Sequence, residues 1–245
     1  MLKVFLIGLL STSSLLIGGI LASRFSLSNR TIGIIMGFGA GTLISAVSYE
    51  LIYEAVRTAK GSGYPAYGFF AGALTFFLSD LFIGRLTMPE SNKPGTSGHA
   101  ILIVPMVLAI ILDGIPESIV LGLGIFETGT VSLAMLVAIF ISNLPEAIAG
   151  SAGMKESGWS RSKIVTLWIC IALFCAGACT MGFTLFSNLS QLWLAFIHAF
   201  AGGAILMMLA NSMIPEAYEN GGKLAGAFTI LGFFVSVVII VFENS

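Results

Sequence analysis

The residues hardest to explain by packing lie in two short stretches, Asp113-Gly-Ile-Pro-Glu117-Ser-Ile and, 29 positions later, Ser142-Asn-Leu-Pro-Glu146-Ala-Ile. Pro116 aligns with Pro145, Glu117 with Glu146 and Ile119 with Ile148, and each stretch sits inside an apolar run. A carboxylate near the middle of a bilayer costs about 2.5 kcal/mol or more and marks a functional position by default. Asp113 and Glu117 are four apart and share a helix face. Ser142, Asn143 and Glu146 fall within one turn of the next helix. Each proline removes a backbone hydrogen bond to the carbonyl four residues earlier, at Leu112 and Ile141, and irregular backbone at membrane depth is tolerated where it lines a wet cavity. The combined set of three carboxylates, an amide, a hydroxyl and backbone carbonyls is an oxygen-rich site suited to a divalent cation. The competing reading is a proton-sharing carboxylate pair that only ties two kinked helices together.

Smaller candidates surround this pair. Glu50 and Glu54 lie one turn apart near one end of the second apolar run and fit a cation entrance or a water-facing helix end. Glu216 fits an exit ligand or a headgroup-level carboxylate. Asp80 is expected to pair with Arg85, and His198 to be a packed polar residue. Cys175 and Cys179 share a face and fit soft ligands or, as buried thiols usually are, inert small hydrophobes.

The elements that must position these groups follow from composition. The chain has 245 residues, 57% hydrophobic and 9% charged, where a soluble domain carries about 25% charged residues. An all-α integral membrane protein is expected, a single transmembrane domain over 1–245. Runs of about 20 apolar residues suffice to span, and eight occur: 2–22, 31–56, 64–86, 99–123, 128–152, 162–186, 191–217 and 223–242. A secretory signal peptide is the alternative for the first. The near-zero net charge leaves no nucleic-acid footprint, and three cysteines in one apolar run give no disulfide framework. With the N-terminus outside, Arg24, Arg30, Arg85, Lys93, Lys155, Arg161, Lys163 and Lys223 face the cytoplasm, against Lys3, Arg57 and Lys60 outside; this bias puts both termini outside. Residues 41–55 can be laid over 203–217, matching Gly41, Ile52, Glu54 and Ala55 to Gly203, Ile214, Glu216 and Ala217. Such duplication is common in transporters with a site at the midplane.

The two central helices resemble helices four and five of the ZIP family of zinc and iron transporters, whose bacterial members carry His-Asn-x-Pro-Glu-Gly in both. The likeness extends to eight helices, a loop after the third, and a seventh helix from Gly202-Gly-Ala to Met213-Ile-Pro-Glu-Ala217. It implies a ZIP-like bundle with pseudo-symmetric halves, a homodimer, and a multi-pass protein of the cell (plasma or inner) membrane. Glu117, Asn143 and Glu146 keep the family pattern. Asp113 and Ser142 stand at its histidine positions, and Gly114 replaces an asparagine. Asn211 and Ser212 replace the seventh helix's His-Glu. The sixth helix has no acidic residue, and the loop after the third has no histidine cluster, only His99 at its end.

The expectation is therefore a transporter moving a divalent metal ion into the cytoplasm, not an enzyme, with no prosthetic group. The metal set is Asp113, Glu117, Ser142, Asn143 and Glu146, with Glu50, Glu54, Asn211 and Glu216 along the pathway. The resemblance points to zinc; loss of imidazoles moves the site toward manganese, iron(II) or magnesium. The alternatives are a metal-dependent intramembrane hydrolase, which lacks a His-Glu-x-x-His motif here, and a degenerate non-transporting relative.

Overall fold

The computed structural model describes residues 1–25, 27–87, 98–186, 189–243 and 245, with side chains throughout except at 86, 87, 98–107 and 109. Lys93, the loop after the third helix and the side chain of His99 lie outside the described residues. Every regular element among the described residues is helical. Eight long helices follow one another: α1 Leu2–Arg24, α2 Asn29–Thr58, α3 Tyr64–Thr87, α4 Gly98–Thr128, α5 Leu133–Glu156, α6 Arg161–Leu185, α7 Gln191–Gly221 and α8 Lys223–Glu243. Among the described residues seven are long and apolar enough to cross a membrane, and α4 has 31 residues. The protein is a multi-pass membrane protein.

Serine and glycine punctuate the chain. Ser28, Ser132 and Ser160 precede α2, α5 and α6, and each accepts a hydrogen bond from the backbone N–H three residues on, which satisfies a donor the helix cannot. Gly129, Gly158 and Gly222 take positive φ of 72°, 80° and 59° just past helix ends, where a side chain would clash. One boundary differs from the sequence reading. The apolar runs 99–123 and 128–152 leave Glu127 between helices; the break lies instead at Gly129–Ser132, because Gly129 makes the left-handed turn and Ser132 caps α5. Glu127 is therefore a helical residue.

Glycines set the helix pairing. α2 lies along α8, and α3 lies along α7. A Cβ on Gly41 would run into the Thr229 carbonyl of α8, and one on Gly232 into the Phe38 carbonyl of α2. In α3 and α7, Gly72 and Gly203 stand in the same relation to the carbonyls of Phe200 and Phe69. Small residues let helix backbones touch where lipid supplies no hydrophobic drive. α1 packs on α5 and α6, and α4 packs on α6. Trp168 of α6 is fully buried and donates its indole N–H to Ser151 of α5 at 2.7 Å. Large apolar side chains such as Phe70, Phe82, Ile230 and Phe234 point outward. That is the inverse of a water-facing surface and suits a lipid-facing one.

The matched segments 41–55 and 203–217 share a feature no periodicity showed. Both contain a π-helical turn, Val47–Tyr53 in α2 and Leu209–Met213 in α7. The register that lays Gly41 on Gly203 also lays Val47 on Leu209, the first residue of each π-turn. The two turns lean on each other's helices: Val47 and Ile52 close over Gly202, and Met213 reaches Gly39. π-turns inside α-helices are rare and gather at functional sites.

Candidate cation site

α4 and α5 bring the two Pro-Glu turns into one interior. Pro116 and Pro145 lie inside continuous helices, so the chain is not broken there. Pro145 leaves the Ile141 carbonyl without its helical N–H donor, and that oxygen faces Gly39 of α2. Glu117, Ser142 and Asn143 are only 2%, 1% and 3% exposed, while Asp113 and Glu146 are partly exposed. The Glu146 carboxylate is within electrostatic reach of Asp113, Glu117 and Glu216. Among the described residues no Lys or Arg forms an ion pair with Asp113, Glu117 or Glu146.

Several polar atoms here lack protein partners. Glu146 Oε2, Asn143 Nδ2 and the hydroxyl of Ser118 make no hydrogen bond. Ser142 donates to the Ile139 carbonyl at 3.1 Å, which leaves its oxygen lone pairs unused. Buried polar groups are usually paired, and these three unpaired atoms lie on α4 and α5; Ser14, Ser45, Ser62, His198 and Ser236 carry others elsewhere among the described residues. Among the described residues, no three His, Cys, Asp or Glu side chains converge closely enough to form a ready coordination group. The carboxylates lie within electrostatic reach of one another and stand apart.

A second acidic region lies at the end of the bundle that carries both termini. Here the Cys179 thiol meets the Val4 carbonyl, and Glu243 reaches the start of α5. A cavity of about 790 Å³ opens there, lined by Glu50, Glu54, Glu127, His198 and Glu243 among others. Glu243 accepts from the backbone N–H groups of Leu133 and Ala134 at 2.5 and 3.2 Å, tying the end of α8 to the first turn of α5, where a carboxylate complements the helix dipole. Glu54 pairs with Arg57 at 3.2 Å, an exposed contact that contributes little to stability. His198, 5% exposed, meets Glu127 at 2.5 Å.

The structure thus places Glu50 and Glu54 on this cavity, while Asn211 and Glu216 lie exposed at and just beyond the π-turn of α7. It brings together Asp113, Glu117 and Glu146, with Glu216 within electrostatic reach of Glu146. Among the described residues no ion pair joins Asp80 to Arg85; the charge of Asp80 acts on Asp113 of α4. Glu127 and Glu243 were missed as cavity residues. Glu127 falls between the apolar runs 99–123 and 128–152, and the partner that holds it, His198, is 71 residues away. The paired cysteines separate in role: Cys179 packs at α1 beside Gly8, and Cys175 faces α4 at Gly114.

No protein-family model matches the chain, and a search of the curated proteins finds no match.

Proposed function

We propose that this protein transports a divalent metal ion across the membrane into the cytoplasm, in the manner of the ZIP transporters its central helices resemble. Asp113, Glu117, Ser142, Asn143 and Glu146 would hold the ion in transit. The observation that carries the reading is one buried and two partly buried carboxylates on two neighbouring helices, with no basic partner among the described residues. Uncompensated negative charge in an apolar bundle is expensive, and a transported cation offsets that cost. The donors are almost all oxygen, which admits manganese, iron(II) and magnesium beside zinc.

The helix pairing supports alternating access. α2 and α7 carry matching π-turns, and each is locked by glycines to a partner from the other half of the chain, α8 and α3 respectively. That exchange of partners is what an inverted repeat produces, with α4 and α5 between the repeats. Rocking of one group against the other around a fixed site is the motion such repeats support. In this reading the cavity at the terminal end is the outer mouth, Asn211 and Glu216 lie on the exit side, and the protein is a homodimer of the cell membrane with both termini outside.

The test is uptake into proteoliposomes of purified protein, measured separately for zinc, manganese, iron(II) and magnesium. Saturable accumulation of at least one of these is the expected result. Failure of all four to accumulate above protein-free vesicles sinks the transport proposal, and binding without uptake would favour a non-transporting relative. The mouth gives a finer expectation. Negative charge in a cleft raises the local cation concentration. Glu50→Gln should therefore raise the half-saturating concentration about threefold to tenfold and leave the maximal rate within about twofold. The shift should shrink as salt screens the cavity.

A further inference from the structure

We infer that the Glu127–His198 contact and the grip of Glu243 on the first turn of α5 form one latch, which holds two sets of helices together at the cavity end and sets how often that end opens. The inference rests on the transport reading for its purpose, and its test needs no cargo.

Packing sorts the helices. α2 lies along α8 and α7, and α7 along α3. α1 lies along α5 and α6, and α6 along α4. The two sets meet where α2 runs against α5, and there a Cβ on Gly39 would come 3.1 Å from the Ser142 Cα. Each set has internal ties of its own. In the first these are the glycine-to-carbonyl contacts of α2 with α8 and of α3 with α7. In the second, Trp168 donates to Ser151 at 2.7 Å, and Thr12 donates to the Ala172 carbonyl at 3.4 Å.

Glu127 and Glu243 reach across from one set to the other. Glu127 of α4 meets His198 Nε2 of α7 at 2.5 Å. His198 is 5% exposed, and a hydrogen bond shielded from water is stronger than one in solvent. Glu243 of α8 accepts from Leu133 and Ala134, and Ser132 accepts from Met135, so the first three N–H groups of α5 are satisfied. Those donors have no partner inside the helix, and parting α8 from α5 orphans two of them. Both carboxylates line the same cavity of about 790 Å³, so the sets cannot separate there while either contact holds. One turn beyond His198, Gly202 seats Val47 and Ile52 of the α2 π-turn, which carries a shift of α7 at the latch to that turn.

The experiment uses purified full-length protein in lipid nanodiscs without added metal. Hydrogen–deuterium exchange follows the Leu133 and Ala134 amides, and diethylpyrocarbonate modification, read by mass spectrometry, follows the His198 ring. Glu127→Ala touches neither amide, yet it should speed their exchange at least about tenfold, because opening then breaks one contact instead of two. His198→Phe keeps the bulk of the ring and removes its bond, and it should do the same. Glu243→Ala should in turn speed modification of His198 at least about tenfold. Exchange around Ser151 and Trp168, inside one set, should stay within about twofold of wild type in all three variants. Amides of α5 indifferent to Glu127→Ala or His198→Phe, a His198 indifferent to Glu243→Ala, or an equal rise at Ser151 and Trp168 overturns the latch. The two proposals fail separately. Coupled opening in a protein that accumulates no metal removes the transport reading and keeps the latch, whereas metal uptake with uncoupled opening removes only the latch.

Discussion

Glu117→Ala and Glu146→Ala are each expected to lower metal uptake on the order of a hundredfold, the scale on which metal sites respond to lost ligand interactions. Their amide counterparts separate function from architecture. Glu117 is 2% exposed and lies near the like charges of Asp113 and Glu146. Without the cation, ionised carboxylates in such a place repel one another and lose solvation. Glu117→Gln and Glu146→Gln should therefore abolish uptake and still raise thermal stability in metal-free detergent solution, by about 1 kcal/mol. The wild type should regain stability on adding the transported ion, because a ligand that binds only the folded state stabilises it; the Gln variants should not. Uptake and melting temperature are the two measurements. A carboxylate pair that merely tied two helices together through a shared proton would give the reverse pattern, lower stability with unchanged uptake.

The sequence exposes what the bilayer itself imposes. Span length and hydropathy are dictated by membrane thickness, so seven apolar helices among the described residues can be located from composition. The Pro-Glu turns stand out because a carboxylate in an apolar run has no bland explanation. Features that depend on a distant partner stay hidden. Glu127 beside Gly129 reads as the first polar residue of a loop, and only the fold shows that α4 continues through it to meet His198. Glu243 reads as a tail residue, and its role at the first turn of α5 arises from how α8 returns to that end of the bundle. Asp80 and Arg85 look like a local pair by spacing, yet the charge of Asp80 acts on Asp113 of another helix. The π-turns are hidden for another reason. A single inserted residue leaves hydropathy unchanged and is stabilised by packing, here by Gly202 and Gly39 on the opposing helices.

Other glycines of these two helices yield the largest stability effect, and the sign of a glycine-to-alanine change varies by position along the chain. Gly41→Ala and Gly203→Ala each add a single methyl group, a change that in an open helix position stabilises by about 0.5–1 kcal/mol. At these two sites the methyl meets a backbone carbonyl, Thr229 of α8 or Phe69 of α3. A backbone cannot rotate away as a side chain can, so the helix pair must separate along its length. The expected cost is about 3 kcal/mol, read as a lower melting temperature in detergent. Gly177→Ala in α6 and Gly226→Ala in α8 have nothing within 4 Å of the new methyl and should be neutral or stabilising. Because Gly41 and Gly203 occupy the same register of the internal repeat, their losses should agree within about 1 kcal/mol. Transport should fail in both variants even where folded protein survives, since each loosens a helix bearing a π-turn against its partner. A loss confined to one of the pair would mean that only one half of the bundle depends on close backbone contact, and the inverted-repeat account of the motion would fail with it.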